Sequence, residues 1–311
     1  MSTLFDELTP RSVHCATITD VGGGELLAAC YAFSYETSPD SIIVTSRFRD
    51  GAWGPIATPI DYPGIAVGNP VLYMDSEGIV HLFFVVVMGE GWTDAYVVQA
   101  TSRDGGRSWG NANRVHERRG LMTKTRPIEV DGRLLLPVYD EGQWCSMVLV
   151  RERDGIWRLH GDTTSRGRTL QPAIVARSDG CLDMYSRGRT GRVFHALSVD
   201  GGYSWTASRP TELPNPNAGV EALRTQGGAL MLIGNPATMG RERLAFQVSH
   251  DDGRSWSEPL DIETVDDGEL SYPYAILDTQ GFIQLLYTRQ RTEIVHVVWS
   301  PGSLDEGEMY A

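Results

Sequence analysis

Lysine is nearly absent from this chain of 311 residues: Lys124 is the only one among 27 basic residues, and the rest are arginines. Cysteine is sparse as well. The four present show no Cys-x-x-Cys spacing, which removes zinc-ribbon and thioredoxin-like readings. Long apolar runs are missing. The longest, 79–88, is interrupted by His81 and reads as a buried strand, well short of the roughly 18 residues of a membrane span. A basic excess is absent too: 40 acidic residues leave a net charge of −13, so neither a nucleic-acid nor a membrane partner is expected. The opening MSTLFDELTP lacks a basic segment followed by an apolar one, so no secretion signal is expected. Cys15, Cys30 and Cys181 fall in strand-like runs and read as buried free thiols, which together point to a cytoplasmic location. No HExxH or tight His/Asp cluster implies a metal, and no cofactor motif is present.

Glycine, at 34, and tryptophan, at eight, are plentiful, and they recur in register. Ser102-Arg-Asp-Gly-Gly-Arg-Ser-Trp109 is repeated at Ser198–Trp205 and Ser249–Trp256, with shortened copies at Arg49–Trp53 and Arg153–Trp157. Successive tryptophans lie 56, 48, 48 and 51 residues apart. A second repeat interleaves with this one: glycine turns such as Asp75–Gly78, Asp131-Gly132 and Ser178–Gly180, each followed by a short apolar strand. Glycine supplies the positive φ that tight hairpins require. Six units of about fifty residues, built from short strands, predict an all-β, six-bladed β-propeller occupying residues 1–311 as a single domain. The last unit runs out of chain after Trp299, and a segment near Leu4–Thr9 is expected to supply its fourth strand. In the boxes, Asp104, Asp200 and Asp251 read as hairpin staples, since three equivalent positions cannot share one active site.

In a propeller the innermost strands line a central channel. The residues opening these strands are His14, Asn69, Arg126, Gln171, Glu221 and Tyr272, each polar and then followed by apolar positions. The second strands end in another polar set: Tyr31 and Glu36, Tyr139 and Glu141, Arg187 and Arg189, Asn235, and Tyr287 and Arg289. Connecting segments add Asn215, Asn217, Arg241, Arg243 and Glu269. Converging arginines suit a carboxylate, through paired charge-assisted bonds.

The boxes and the six-unit repeat, from about His14 to Trp299, resemble the Asp-box (BNR-repeat) propellers of the sialidase, or neuraminidase, superfamily. The pattern is most similar to a divergent "predicted neuraminidase" group. The shared features are His14 to Thr17, Leu136 to Tyr139, Gln171-Pro172, Pro214 to Asn217, Glu269 to Pro273 and Tyr287-Thr288. The resemblance implies a carbohydrate-active enzyme that cleaves a glycosidic bond of an anionic sugar, sialic acid-like or uronate. Tyr272 would be the nucleophile and Glu221 its base, with Glu36 or Glu269 as acid. Elimination from a uronate, with His14 removing the proton, is the competing chemistry, since some relatives of the group look like polysaccharide lyases. The candidate substrate-binding residues are Asn69, Arg126, Tyr139, Gln171, Arg187, Asn215, Asn235, Arg243, Tyr287 and Arg289. Sialidases hold the substrate carboxylate with three arginines. Here His14 stands at the first of those places and Asn235 at the second, which leaves Arg243, or Arg241, for the third. Two other readings stay open: an intracellular lyase or cyclase acting on a small metabolite, and a non-catalytic sugar-binding propeller. The expected partner in each case is a small molecule or an oligosaccharide.

Overall fold

The computed structural model describes residues 1–5, 8, 11–161 and 168–302. The turn-and-strand repeat folds into six antiparallel sheets, the six blades of a β-propeller. The first strands of successive blades touch one another around the axis. They are Ser12–Gly22, Val67–Met74, the pair Leu121–Thr123 and Ile128–Val130, Thr169–Ala176, Glu221–Arg224 and Leu270–Leu277. The second strand of each blade pairs outside the first, and the third outside the second. Blade six is closed by the N-terminus: Ser2–Leu4 pairs with its outer strand, Leu4 lying opposite Ile294. This closing strand lies slightly earlier than the expected segment, of which Asp6, Glu7 and Thr9 fall outside the described residues. Closure leaves few sheet edges free to recruit other chains.

The core is divided among blade interfaces. Leu135, Ile174 and Trp205 gather between blades three and four, and Tyr185, Leu230 and Trp256 between blades four and five. This arrangement accounts for the Asp boxes. In the second-blade box, Ser102 Oγ accepts from Gly106 N–H at 2.8 Å and donates to Asp104 at 2.7 Å. Asp104 also accepts from Ser108 N–H at 2.9 Å. Ser198–Ser204 and Ser249–Ser255 repeat these bonds. Bonds from the Ser255 hydroxyl, and then from its N–H, hold Asp251 down to about 2. These aspartates are fully engaged as staples.

The box glycine performs a second task. Gly106 has φ +85°, and a Cβ there would lie 2.3 Å from Leu27 of blade one. Gly202 stands in the same relation to Leu135, and Gly253 to Tyr185. Each box is thus pressed onto the second strand of the preceding blade. All four cysteines are free; Cys15, Cys30 and Cys145 are buried, whereas Cys181, on the turn before its strand, is partly exposed.

The inner strands share a local distortion that matters for the site. Their ladders slip between His14 and Thr17, Gly68 and Val71, Leu170 and Ala173, and Ser271 and Tyr274. At each slip one non-glycine residue takes positive φ: Cys15 (52°), Asn69 (47°), Gln171 (53°) and Tyr272 (55°). In blade three the inner strand is interrupted altogether, and 124–127 lie in the gap.

The close approach at Gly106 predicts that Gly106→Ala lowers stability by about 1–3 kcal/mol, read as a fall in melting temperature. Gly132→Ala, also at positive φ but with nothing within 4 Å, isolates the backbone strain and should cost less.

Candidate functional site

A non-glycine residue held at positive φ is costly, of order 1–3 kcal/mol, and such residues concentrate at ligand sites. A bulge also re-aims its side chain. Here Asn69, Gln171 and Tyr272 all line one polar cavity of ≈190 Å³ at one mouth of the channel. The ends of the second strands and the turns after them complete it, with Tyr31, Glu36, Tyr139, Glu141, Arg187, Arg241 and Arg291; Trp92 and Met122 add apolar surface.

The polar groups form a connected network. Gln171 Nε2 donates to Tyr272 Oη at 2.7 Å and lies 3.4 Å from Tyr139 Oη. Gln171 Oε1 accepts from Arg187 at 3.1 Å. Asn69 Nδ2 donates to Tyr139 Oη at 3.2 Å. The His14 ring packs on Tyr272 with centroids 4.1 Å apart. Its Nδ1 meets Thr288 Oγ1 at 3.1 Å, and its Nε2 is buried without a hydrogen-bond partner among the described residues. Arg291 donates to Glu269 at 2.7 Å and also pairs with Glu36. Arg241 donates to the other oxygen of Glu269 at 3.3 Å and to the Asn217 carbonyl at 3.1 Å. Glu269 therefore orients two of the three arginines that reach the cavity.

The electrostatics follow from burial and from those arginines. Burial lowers the His14 imidazole well below its ordinary value, and Arg291, Arg241, Arg187 and Lys124 push it further down. Burial raises the Tyr272 phenol, with Arg187 pulling in the opposite direction. Burial raises Glu141; Arg187 opposes this and Glu36 adds to it.

Several candidates lie elsewhere. Glu221, fully buried, makes no hydrogen bond to Tyr272. Its Oε1 accepts from Ala222 N–H at 3.0 Å and lies 4.0 Å from Arg126 Nε, while its Oε2 has no partner among the described residues. Arg126 lines a separate cavity of ≈440 Å³ at the opposite mouth, together with Tyr73 and Tyr274. Asn235 is buried, donating to the Arg243 and Leu270 carbonyls. Arg243 turns outward to Asp261 and the Pro259 carbonyl. Tyr287 and Arg289 both face Glu263 of blade five. Asn215 closes its own loop through two 3.0 Å bonds with Ala218. For Arg243, Tyr287 and Arg289 the cause is that they lie in second and third strands, whose faces turn to neighbouring strands and blades, whereas strand ends and turns reach the mouth.

One such turn carries the residue that sequence reasoning missed. Gln290 and Arg291 are both at positive φ, 54° and 57°, and Thr292 N–H donates to the Arg289 carbonyl at 3.1 Å. This hairpin geometry usually takes Asn-Gly. Arginine in that place is the available sequence signal, since it bears backbone strain that glycine would avoid. Among the described residues no group of three or more His, Cys, Asp or Glu could hold a metal. Among the described residues no helix is long and apolar enough to cross a membrane.

The buried neutral histidine predicts a stability slope. The unfolded imidazole takes its proton near pH 6.5, whereas the folded one does so only at lower pH. The native state is therefore favoured above pH 6.5 and loses stability as pH falls toward the folded value, by at most about 1.4 kcal/mol per unit. His14→Gln should flatten the dependence of unfolding free energy on pH between about 6.5 and 5, measured by denaturant titration.

The profile of the BNR repeat-like domain family matches residues 24–285. The chain is 22% identical over 245 residues to the anhydrosialidase of Macrobdella decora, an alignment covering 69% of this chain and 32% of that protein. The chain thus spans about a third of the curated relative's length. The intramolecular trans-sialidase from Ruminococcus gnavus superposes with a TM-score of 0.79 at 15% identity, over 96% of each chain. The NanB sialidase from Streptococcus pneumoniae gives 0.80 at 12% identity, over 95% of this chain and 70% of the other. A sialidase named Hadza microbial sialidase Hz136 gives 0.79 at 19%, over 93% and 66%. By its repeats, its six blades and this match, the chain belongs to the BNR repeat-like domain family.

Proposed function

We propose that this propeller is a sialidase-like glycosidase that cleaves a bond to a carboxylate-bearing sugar in the Tyr272 cavity. The observation that carries this reading is the convergence of Arg187, Arg241 and Arg291 on one small cavity that also contains a buried tyrosine. Guanidinium groups take a carboxylate in paired, charge-assisted bonds that an ammonium would not match. Arg187 Nε is buried with no partner among the described residues, so a bond remains for a ligand. The names of the relatives, a curated anhydrosialidase and several solved sialidases, point to the same substrate class.

In this reading the sugar carboxylate lies among the three arginines and Tyr272 Oη attacks the anomeric carbon. The phenol's direct partner is the Gln171 amide, which cannot take a proton. His14, kept neutral, with its ring tilted against the phenol ring and its Nε2 without a partner among the described residues, serves as the base. Glu141, which burial shifts toward its protonated form, donates to the leaving oxygen. Water then releases the sugar from Tyr272. A protonation state matched to the working pH is what general acid–base catalysis requires.

The test is turnover of 4-methylumbelliferyl glycosides of sialic and glucuronic acids. Tyr272→Phe should lose at least about 10³-fold in kcat. Arg291→Met should raise KM roughly 10- to 100-fold through loss of charged hydrogen bonds. Full turnover by Tyr272→Phe would contradict the nucleophile. Products absorbing as unsaturated uronates would replace hydrolysis with elimination.

A further inference from the structure

The chain's only lysine lies in the gap in the blade-three inner strand. Lys124 is 2% exposed, and the threonines on either side, Thr123 at the end of the strand and Thr125 in the gap, are polar and buried too. Taken together, the residues of this segment reach the inner strands of four other blades.

Thr123 Oγ1 donates to the Asn69 carbonyl at 2.9 Å, and the Thr123 carbonyl accepts from Asn69 Nδ2 at 2.9 Å. Thr125 Oγ1 donates to the Pro172 carbonyl. Lys124 Nζ donates to the Pro273 carbonyl at 2.6 Å and to the Val220 carbonyl at 2.9 Å. Asn69, Pro172 and Pro273 all belong to inner-strand bulges. The slip between Ser271 and Tyr274 takes Tyr272 and Pro273 out of the ladder, and the ammonium supplies a donor to the Pro273 carbonyl there. Buried carbonyls need such partners. A methyl group on Gly219 would meet Gln171 Oε1 at 2.9 Å and Lys124 Cε at 3.3 Å, so Gly219 leaves room for both the lysine stem and the Gln171 amide.

We propose that Lys124, at the centre of a Thr123-Lys124-Thr125 hub on the propeller axis, is the positioning residue that holds the strained Tyr272 turn and its Gln171 partner in register for the reaction proposed above. This rests on that reading for the reaction, but the hub contacts stand independently of it. An ammonium suits the place because it is compact, with three donors that point separately, whereas a guanidinium is planar and wider. Glu221, fully buried, is a nearby counter-charge that makes no direct ion pair with the ammonium, and Arg126 Nε lies 4.0 Å from its Oε1. Glu221 favours the charged lysine against the cost of burial, and the lysine in turn favours the carboxylate. That assigns Glu221 a supporting role beneath the cavity. Removing one member of a buried pair leaves the other charge uncompensated.

The test uses the whole chain carrying Lys124→Met, which keeps the apolar stem. Hydrogen exchange of the peptide spanning 270–277 is read with no substrate present and should speed up at least about tenfold in the variant, as the clamped turn opens locally. Adding Glu221→Gln should recover most of the lost melting temperature, which falls by about 10 °C in the single variant. It should leave the fast exchange in place, because charge balance returns but the Pro273 clamp does not. With an anionic glycoside, Lys124→Met should lower kcat about a hundredfold while KM changes little. Should Lys124→Met fail to fold, Thr125→Val, which removes only the hydroxyl bonded to Pro172, should speed exchange at 169–176 and lower kcat with KM held. Unchanged exchange in 270–277 together with wild-type kcat would overturn the proposal. If the wild-type protein turns over no anionic glycoside, the functional reading fails, and the exchange and melting results still decide the role of the hub.

Discussion

The site depends on one constraint: where the inner strands open, a residue with a side chain is held in a left-handed backbone conformation. In an undisturbed strand, side chains alternate between the two faces of the blade and point at neighbouring blades. The bulge breaks that alternation, and Asn69, Gln171 and Tyr272 come to line the channel mouth. The cost of each left-handed residue is local. It is offset by bonds that the rest of the propeller supplies: Thr123 to Asn69, Thr125 to Pro172 and Lys124 to Pro273.

Rigidity of the propeller comes from two separate systems. On the hairpins, the Asp boxes clamp their own loops by Ser and Asp bonds and seat a glycine against the preceding blade. On the axis, a short buried polar segment ties blades two, four, five and six to blade three. The first system joins a buried serine to a more exposed aspartate over a glycine contact. The second is desolvated and charged, with Lys124 and Glu221 balancing each other in the interior. The scarcity of lysine thus has a structural side. Arginines occupy the turns and the cavity rim, and the one ammonium is buried where a compact donor fits.

The repeats made the architecture legible, because a fifty-residue period with glycine turns fits few folds, and the closing strand followed from an incomplete last unit. Asn69, Gln171 and Tyr272 were legible too, as polar openings of apolar strands. The lining arginines were harder to choose. Arg289 and Arg291 are two residues apart, but Arg289 is still in the strand and faces Glu263, whereas Arg291 is on the turn and reaches the cavity. Arg241 and Arg243 divide in the same way, the strand residue turning outward to Asp261. Alternation along a strand can be read from sequence; the point at which a turn releases the chain cannot. Glu221 opens its strand as Tyr272 does, yet its carboxylate is buried against its own strand's Ala222 N–H and near Arg126 of another blade, a cross-blade neighbour that no local pattern records.

The central claim is that three arginines read a sugar carboxylate. Its most direct measurement is calorimetric titration of the wild-type protein with the methyl glycoside of sialic acid and with the corresponding carboxamide, which keeps the shape but removes the charge. The account predicts that the acid binds at least about tenfold more tightly, consistent with hydrogen bonds to a charged group. Equal affinities for acid and amide would contradict it.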